Sequence, residues 1–304
     1  MIKRTYIGVD LSGDMLTAVA IQRGRPVTKL VGVRREPLPR LIELSSRQAN
    51  VTVPGRFVEI LRGALDPLCG GEERLALSLP DRVGRLYLVE VESSFKSRQE
   101  GIDILKWRLK GNLPAPPAQV QLDYQVMERR EDGRVRCVVA AIAKPVLEQF
   151  EELVVEAGRH AVQIDFHSLN LFSYYRPRLD LGEEFLLIGV ERDQLSVIYV
   201  SGRALAYQRV RDGEPQADVV FRELTRTLAD AVSSHPGMQR CPVFAHIDPN
   251  LGGETPAVLQ GILEREVRLL DPQLKRFAGG AAIGLPPSGA VLAALGAAER
   301  LMTP

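Results

Sequence analysis

The first residues able to do chemistry lie in Tyr6 to Val27, YIGVDLSGDMLTAVAIQRGRPV. This stretch reads as two short strands about a turn that holds Asp10, Ser12, Gly13 and Asp14. An aspartate with small residues at a hairpin tip can hold nucleotide phosphates: glycine lets backbone amides come close, and a carboxylate can share a Mg2+ with phosphate oxygens. Asp10, Ser12 and Gly13 are therefore the candidate contacts if a nucleotide binds. Asp14 adds a second negative charge, which repels phosphate unless a divalent cation lies between them. No cofactor is expected; a nucleotide with magnesium is the one such a hairpin allows.

Other chemistries lack their spacing. His160, His167, His235 and His246 form no H-E-x-x-H or H-x-H pattern, so surface or capping roles are expected in place of a metal site. Ser78, Ser168 and Ser196 sit in no G-x-S-x-G elbow. Asp165 and His167 flank a strand end, where an N-capping Ser168 accounts for both. Cys69, Cys137 and Cys241 are an odd, scattered set, which argues against disulfides and structural zinc and for a reducing compartment. With 39 basic and 38 acidic side chains there is no global charge to attract nucleic acid. MIKRTYIGVD lacks the apolar core of a signal peptide, and no apolar run is long enough for a membrane span. A cytoplasmic protein that meets the membrane only through partners is expected.

These residues need elements to position them. Strands at about 4–10, 15–22 and 26–35 form a meander, followed by a helix over PGRFVEILRGALDPL with Phe57, Ile60, Leu61 and Leu65 on one face. RLALSLP gives a buried strand that Pro80 ends. RVGRLYLVEVE alternates as a strand, SRQEGIDILKWRLKGN reads as a helix, and a hairpin about Asp132-Gly133 follows the break LPAPPAQ. A helix ending near Gly158, the strand AVQIDF and a further helix complete the first half.

From about Glu183 the opening pattern returns. Ile7-Gly8-Val9-Asp10 matches Ile188-Gly189-Val190-Glu191, and Gly24-Arg25 matches Gly202-Arg203. Two halves that each open on a three-stranded meander suggest an internal duplication.

A duplicated meander with an α/β insertion resembles the actin-like ATPase superfold, and within it the PilM-like type IV pilus assembly proteins, including short relatives such as MshI. The more specific stretches are LALSLPDRVGRLYLVEV, GIDILKWRLKGNLPAPPAQVQLDYQVM, VRCVVAAIAKPVLEQFEELVVEAG and QIDFHSLNLF, in that order. The resemblance implies an α/β, duplicated actin-like (ribonuclease H-like) fold. Its first half would span 1–180 with a small subdomain inserted at about 80–143, and its second half 181–304. It also implies a partner, the N-terminal cytoplasmic tail of an inner-membrane PilN-like protein, bound in a groove between the insertion and the first meander. Self-association is frequent in such folds, though no surface stripe argues for it here.

Against that family the phosphate hairpins are incomplete. Asp10 is kept, but Ser12 stands where a glycine is usual. The second hairpin reads IGVERDQLS in place of Asp-x-Gly, so Glu191, Arg192 and Asp193 crowd the backbone. The third element, a Gly-Gly turn, comes late as Gly252-Gly253, with a second glycine run at 278–284. A degenerate nucleotide site is expected.

The helix over Gln99 to Lys110 carries Ile102, Leu105 and Leu109 on one face and Ile104 and Trp107 nearly opposite. Such a helix is either buried all round or has a second client. Trp107, Ile104 and Tyr124 are the candidate partner contacts. Two readings follow. One is a non-enzymatic scaffold of a type IV pilus or type II secretion platform; the other is an actin-like ATP-binding protein whose nucleotide state regulates assembly.

Overall fold

In a computed structural model the described residues are 4–12, 14–24, 27–92, 95–213, 216–248, 251, 253–277 and 291–302. The chain opens on a meander of β1 (Thr5–Ser12), β2 (Met15–Gln22) and β3 (Lys29–Pro37). Helix α1 (Pro54–Cys69) crosses to β4 (Arg74–Leu79), which pairs parallel with β1. A detour then runs through β5 (Gly84–Val91), α2 (Arg98–Leu109), β6 (Val120–Arg129) and β7 (Val135–Ala143). Helix α3 (Lys144–Glu156) returns to β8 (His160–Phe166), and α4 (His167–Tyr175) leads out of the first half. The second half repeats the plan: β9 (Phe185–Glu191), β10 (Gln194–Ser201), β11 (Ala204–Asp212), α5 (Ala217–Val232), β12 (Val243–Ile247), α6 (Thr255–Leu263) and β13 (Val267–Leu269). Helix α7 (Leu292–Arg300) comes back to the first sheet, where Gly8 and Gly296 remove the side chains that would hold it off β1 and α4.

The two five-stranded sheets have the same order, β3-β2-β1-β4-β8 and β11-β10-β9-β12-β13. Strand alternation explains what each face does. Ile7, Val9 and Leu11 face a core with α1 and α3, while Leu186, Ile188 and Val190 face the equivalent core with α5 and α6. The opposite faces look inward on α4 and α7, where Tyr6, Leu171, Tyr174 and Leu295 pack. Asp10, two residues before the end of β1, and Glu191, the last of β9, share the parity of Tyr6 and Phe185 and lie on these inward faces.

The three-stranded sheet β5-β7-β6 is covered on both sides. Val89, Leu122, Cys137 and Val139 pack against Leu105 and Leu109 of α2. Leu86, Leu88, Met127 and Val138 pack on Phe185, Leu187, Ile198 and Phe244 of the second half, and Arg136 Nη2 donates to the Ala206 carbonyl at 3.1 Å. The insertion thus leans on the second half, while Leu86 and Ala140 also pack against the core of the first half. A 380 Å³ cleft remains between its neck and β11, lined by Arg82, Arg85, Leu86, Gln208, Arg211 and Asp212 among others.

Candidate functional site

Where the two inward faces meet, one side chain joins them. His167, the first residue of α4, lies with Nδ1 2.9 Å from Asp10 Oδ1 and Nε2 3.0 and 2.9 Å from the two Glu191 oxygens. All three are buried. Burial alone would lower the His167 pKa, but the charges of Asp10 and Glu191 outweigh it and raise it well above the usual value, so the ring is an imidazolium donating from both nitrogens. Burial would in turn raise Glu191, yet His167 holds it well below the ordinary carboxylate range. Gln194 Nε2 donates to Glu191 at 3.1 Å. His246 on β12 lies 3.9 Å from Glu191, kept neutral by burial, with Tyr175 Oη 2.8 Å from its Nδ1. With both ring nitrogens donating, His167 has no lone pair to act as a base.

The start of α4 is tied down from outside. Asp81, in the turn before β5, accepts from the Ser168 amide at 2.9 Å and from its hydroxyl at 2.5 Å, and Gln208 of β11 donates to that hydroxyl at 2.8 Å. Burial pushes Asp81 up to about 6. The expected N-cap at Ser168 is corrected: Phe166 is the N-cap, Ser168 lies inside the first turn, and the capping carboxylate comes from Asp81. Asp165 is occupied with its neighbour's amide and with Arg300. The expectation of surface histidines holds for the exposed His160 but fails for His167 and His246, which are 5% and 2% exposed.

Beside the bridge opens a 430 Å³ cleft, the size of a small-molecule site. Ser12 and Asp14 line it, as do Glu191, Asp193, Asp212 and Asp248 against Arg35, Arg82 and Arg192. Its carboxylates outnumber its cations, the wrong balance for a triphosphate. Asp10 is not open to it: 1% exposed, its carboxylate is engaged by His167. Gly13, Gly252 and the run at 278–284 lie outside the described residues. Among the described residues no three His, Cys, Asp or Glu side chains are grouped to hold a metal ion.

The candidate partner residues do not share one surface. Trp107 is 69% exposed, which excludes burial between strands, and Lys110 Nζ lies 5.6 Å above its ring. Ile104 is partly covered against the α2 core. Tyr124 points the other way from the solvent side of α2. Its parity matches Leu122, so it lies beneath the helix, edge-on to Phe95 at 5.1 Å and in the space left by Gly101. It seats α2 and is not an outward contact.

No protein-family model matches the sequence, and no curated protein is significantly similar to it. Solved structures are. A chain of a PilM–PilN type IV pilus biogenesis complex superposes with a TM-score of 0.79 over 100% of this chain and 99% of that one, at 17% identity. A Bacteroides thetaiotaomicron protein described as having an actin-like ATPase fold gives 0.56 at 12% identity, covering 90% and 95%. The cytoplasmic domain of EpsL, an inner-membrane component of the type II secretion system of Vibrio cholerae, gives 0.55 at 12% identity, covering 99% and 96%. No described helix is long and apolar enough to cross a membrane. The chain has the duplicated α/β actin-like fold, as its two matched sheets and these likenesses together require.

Proposed function

We propose that this protein is a non-enzymatic, actin-like scaffold at the cytoplasmic face of a type IV pilus or type II secretion assembly platform, holding the N-terminal tail of a PilN-like inner-membrane partner. The observation that carries the reading is the bridge. The spot between the twin strand ends, where phosphates and their metal would need to lie, is filled by the His167 side chain, and the adjoining cleft is acidic. Likeness to a chain solved with PilN supports the partner. An extended tail binds through main-chain pairing and side-chain pockets. The cleft at the insertion neck offers Arg82, Arg85 and Arg211 to such a tail, and Trp107 with the rim of Ile104 offers an apolar anchor on α2.

The rival reading, an ATP-binding protein whose nucleotide state regulates assembly, is favoured by the cleft's 430 Å³ and by Arg35, Arg82 and Arg192 on its wall. Isothermal titration of the full chain with magnesium-ATP, and separately with a synthetic tail of the neighbouring membrane protein, tests both. Tail binding without nucleotide binding is expected; micromolar nucleotide binding with no tail binding reverses the ranking.

A further inference from the structure

Duplication creates an electrostatic problem at the centre of this molecule. Strands β1 and β9 are equivalent, and each carries a carboxylate at or near its C-terminal end on the face turned to the other half. Asp10 is 1% and Glu191 9% exposed, too little water to keep two anions apart in charge without a cation or a proton between them. Among the described residues no lysine or arginine pairs with either one. The groups that face the pair are Gln194 from β10, which donates to Glu191, and His246 from β12, which burial keeps neutral. Asp81 reaches the same helix start through Ser168, and Arg192 lines the cleft beside Glu191. Among the described residues, the one cation in contact with both carboxylates is the His167 ring, at 2.9 Å on one side and 2.9 and 3.0 Å on the other.

We infer that His167 is a built-in cation that pins the two halves together and sets the angle between them, in the place where a bound metal or ligand would otherwise have to do so. The inference deepens the scaffold reading and rests on it for the cleft being free of nucleotide. Its consequence is a latent site: a chain without the ring has an imidazole-sized space between two fixed carboxylates, and that space selects a small, planar cation with two N–H donors. Position 167 is the first residue of α4, after the N-cap Phe166, so glycine there falls at the edge of the helix and outside its interior, where glycine is most costly.

The test uses the full chain carrying His167→Gly, with hydrogen exchange at the ends of β1 and β9 and the thermal midpoint as readouts. The pin predicts that amides at both strand ends exchange at least about tenfold faster than in the wild type, in keeping with local opening. It also predicts that millimolar imidazole returns them toward wild-type protection while equal ionic strength from sodium chloride does not. A variant that folds only in imidazole supports the same conclusion. Wild-type exchange in His167→Gly, or loosened strand ends that ignore imidazole, overturns it. If the glycine variant folds under neither condition, the cycle of His167→Gln and Glu191→Gln decides. Coupling of about tenfold or more in the unfolding equilibrium supports the pin and additivity overturns it. Nucleotide binding to the wild type would sink the scaffold reading while leaving these comparisons interpretable.

Discussion

Replacing Asp10 with asparagine keeps the shape of the side chain and removes its charge, which separates two roles for the residue. A turn acceptor at a hairpin contributes one ordinary hydrogen bond, about 1 kcal/mol, and its loss is indifferent to pH. The bridge predicts more. Asp10 is 1% exposed and 2.9 Å from a buried imidazolium, and removing one partner of a buried ion pair costs about 3–5 kcal/mol. Glu191 still holds the other ring nitrogen, which places Asp10→Asn at the low end, about 3 kcal/mol or roughly 150-fold in the unfolding equilibrium. The sign of the pH dependence follows from His167. Its folded pKa is raised above the unfolded value of 6.5, so its stabilisation is complete below about pH 6.5 and is lost as pH rises through the raised value. The wild type's advantage over Asp10→Asn is therefore greatest near pH 6 and shrinks in alkali. Urea unfolding across that range measures it. A difference of about 1 kcal/mol or less, equal at every pH, refutes the bridge as a stabilising unit.

At the acid end, Glu191 is held down to about 2 from 4.5, so its contribution is present above about pH 4.5 and disappears as pH falls through the folded value. Glu191→Gln is expected to flatten that acid limb in a circular-dichroism titration. Gly8→Ala drives a methyl into the Ala294 carbonyl of α7 and is expected to cost about 1–3 kcal/mol, read as a lowered thermal midpoint. Trp107→Ala is expected to fold. With 69% of the side chain exposed, about a third of a ~250 Å² surface is lost from burial, at most about 2 kcal/mol in a urea melt. If Trp107 anchors the tail, the same variant weakens tail binding by about thirty-fold or more in isothermal titration.

The meanders, the buried Leu75–Leu79 strand and the hairpin at Asp132-Gly133 follow from local alternation and turn chemistry, and Gly133 does adopt the positive φ of 85° that the turn demands. The duplication was visible as Ile-Gly-Val followed by an acid, because the same inward glycine and terminal carboxylate recur in each half. His167 was not, since its partners stand 157 and 24 residues away and no spacing rule links them. The signal that would have found it is the symmetry itself: two equivalent carboxylates on facing strands call for a cation, and QIDFH delivers one where the chain leaves the first half. Trp107 and Tyr124 show the other limit. Periodicity placed each on a face, but which face carries a neighbour is decided by tertiary packing, which puts the second half beneath the insertion and leaves the tryptophan outside.

The inserted sheet, covered on one side by α2 and on the other by the second half, bears on how the molecule comes apart. Each half contains a complete five-stranded sheet with its own helices, an arrangement that by itself would leave two units that melt separately. Leu86, Leu88, Met127 and Val138 belong to the first half by chain order and to the second by packing. Opening either half exposes that shared apolar surface, so neither can lose its order without lowering the stability of the other. A calorimetric scan should accordingly show a single transition whose van't Hoff and calorimetric enthalpies agree.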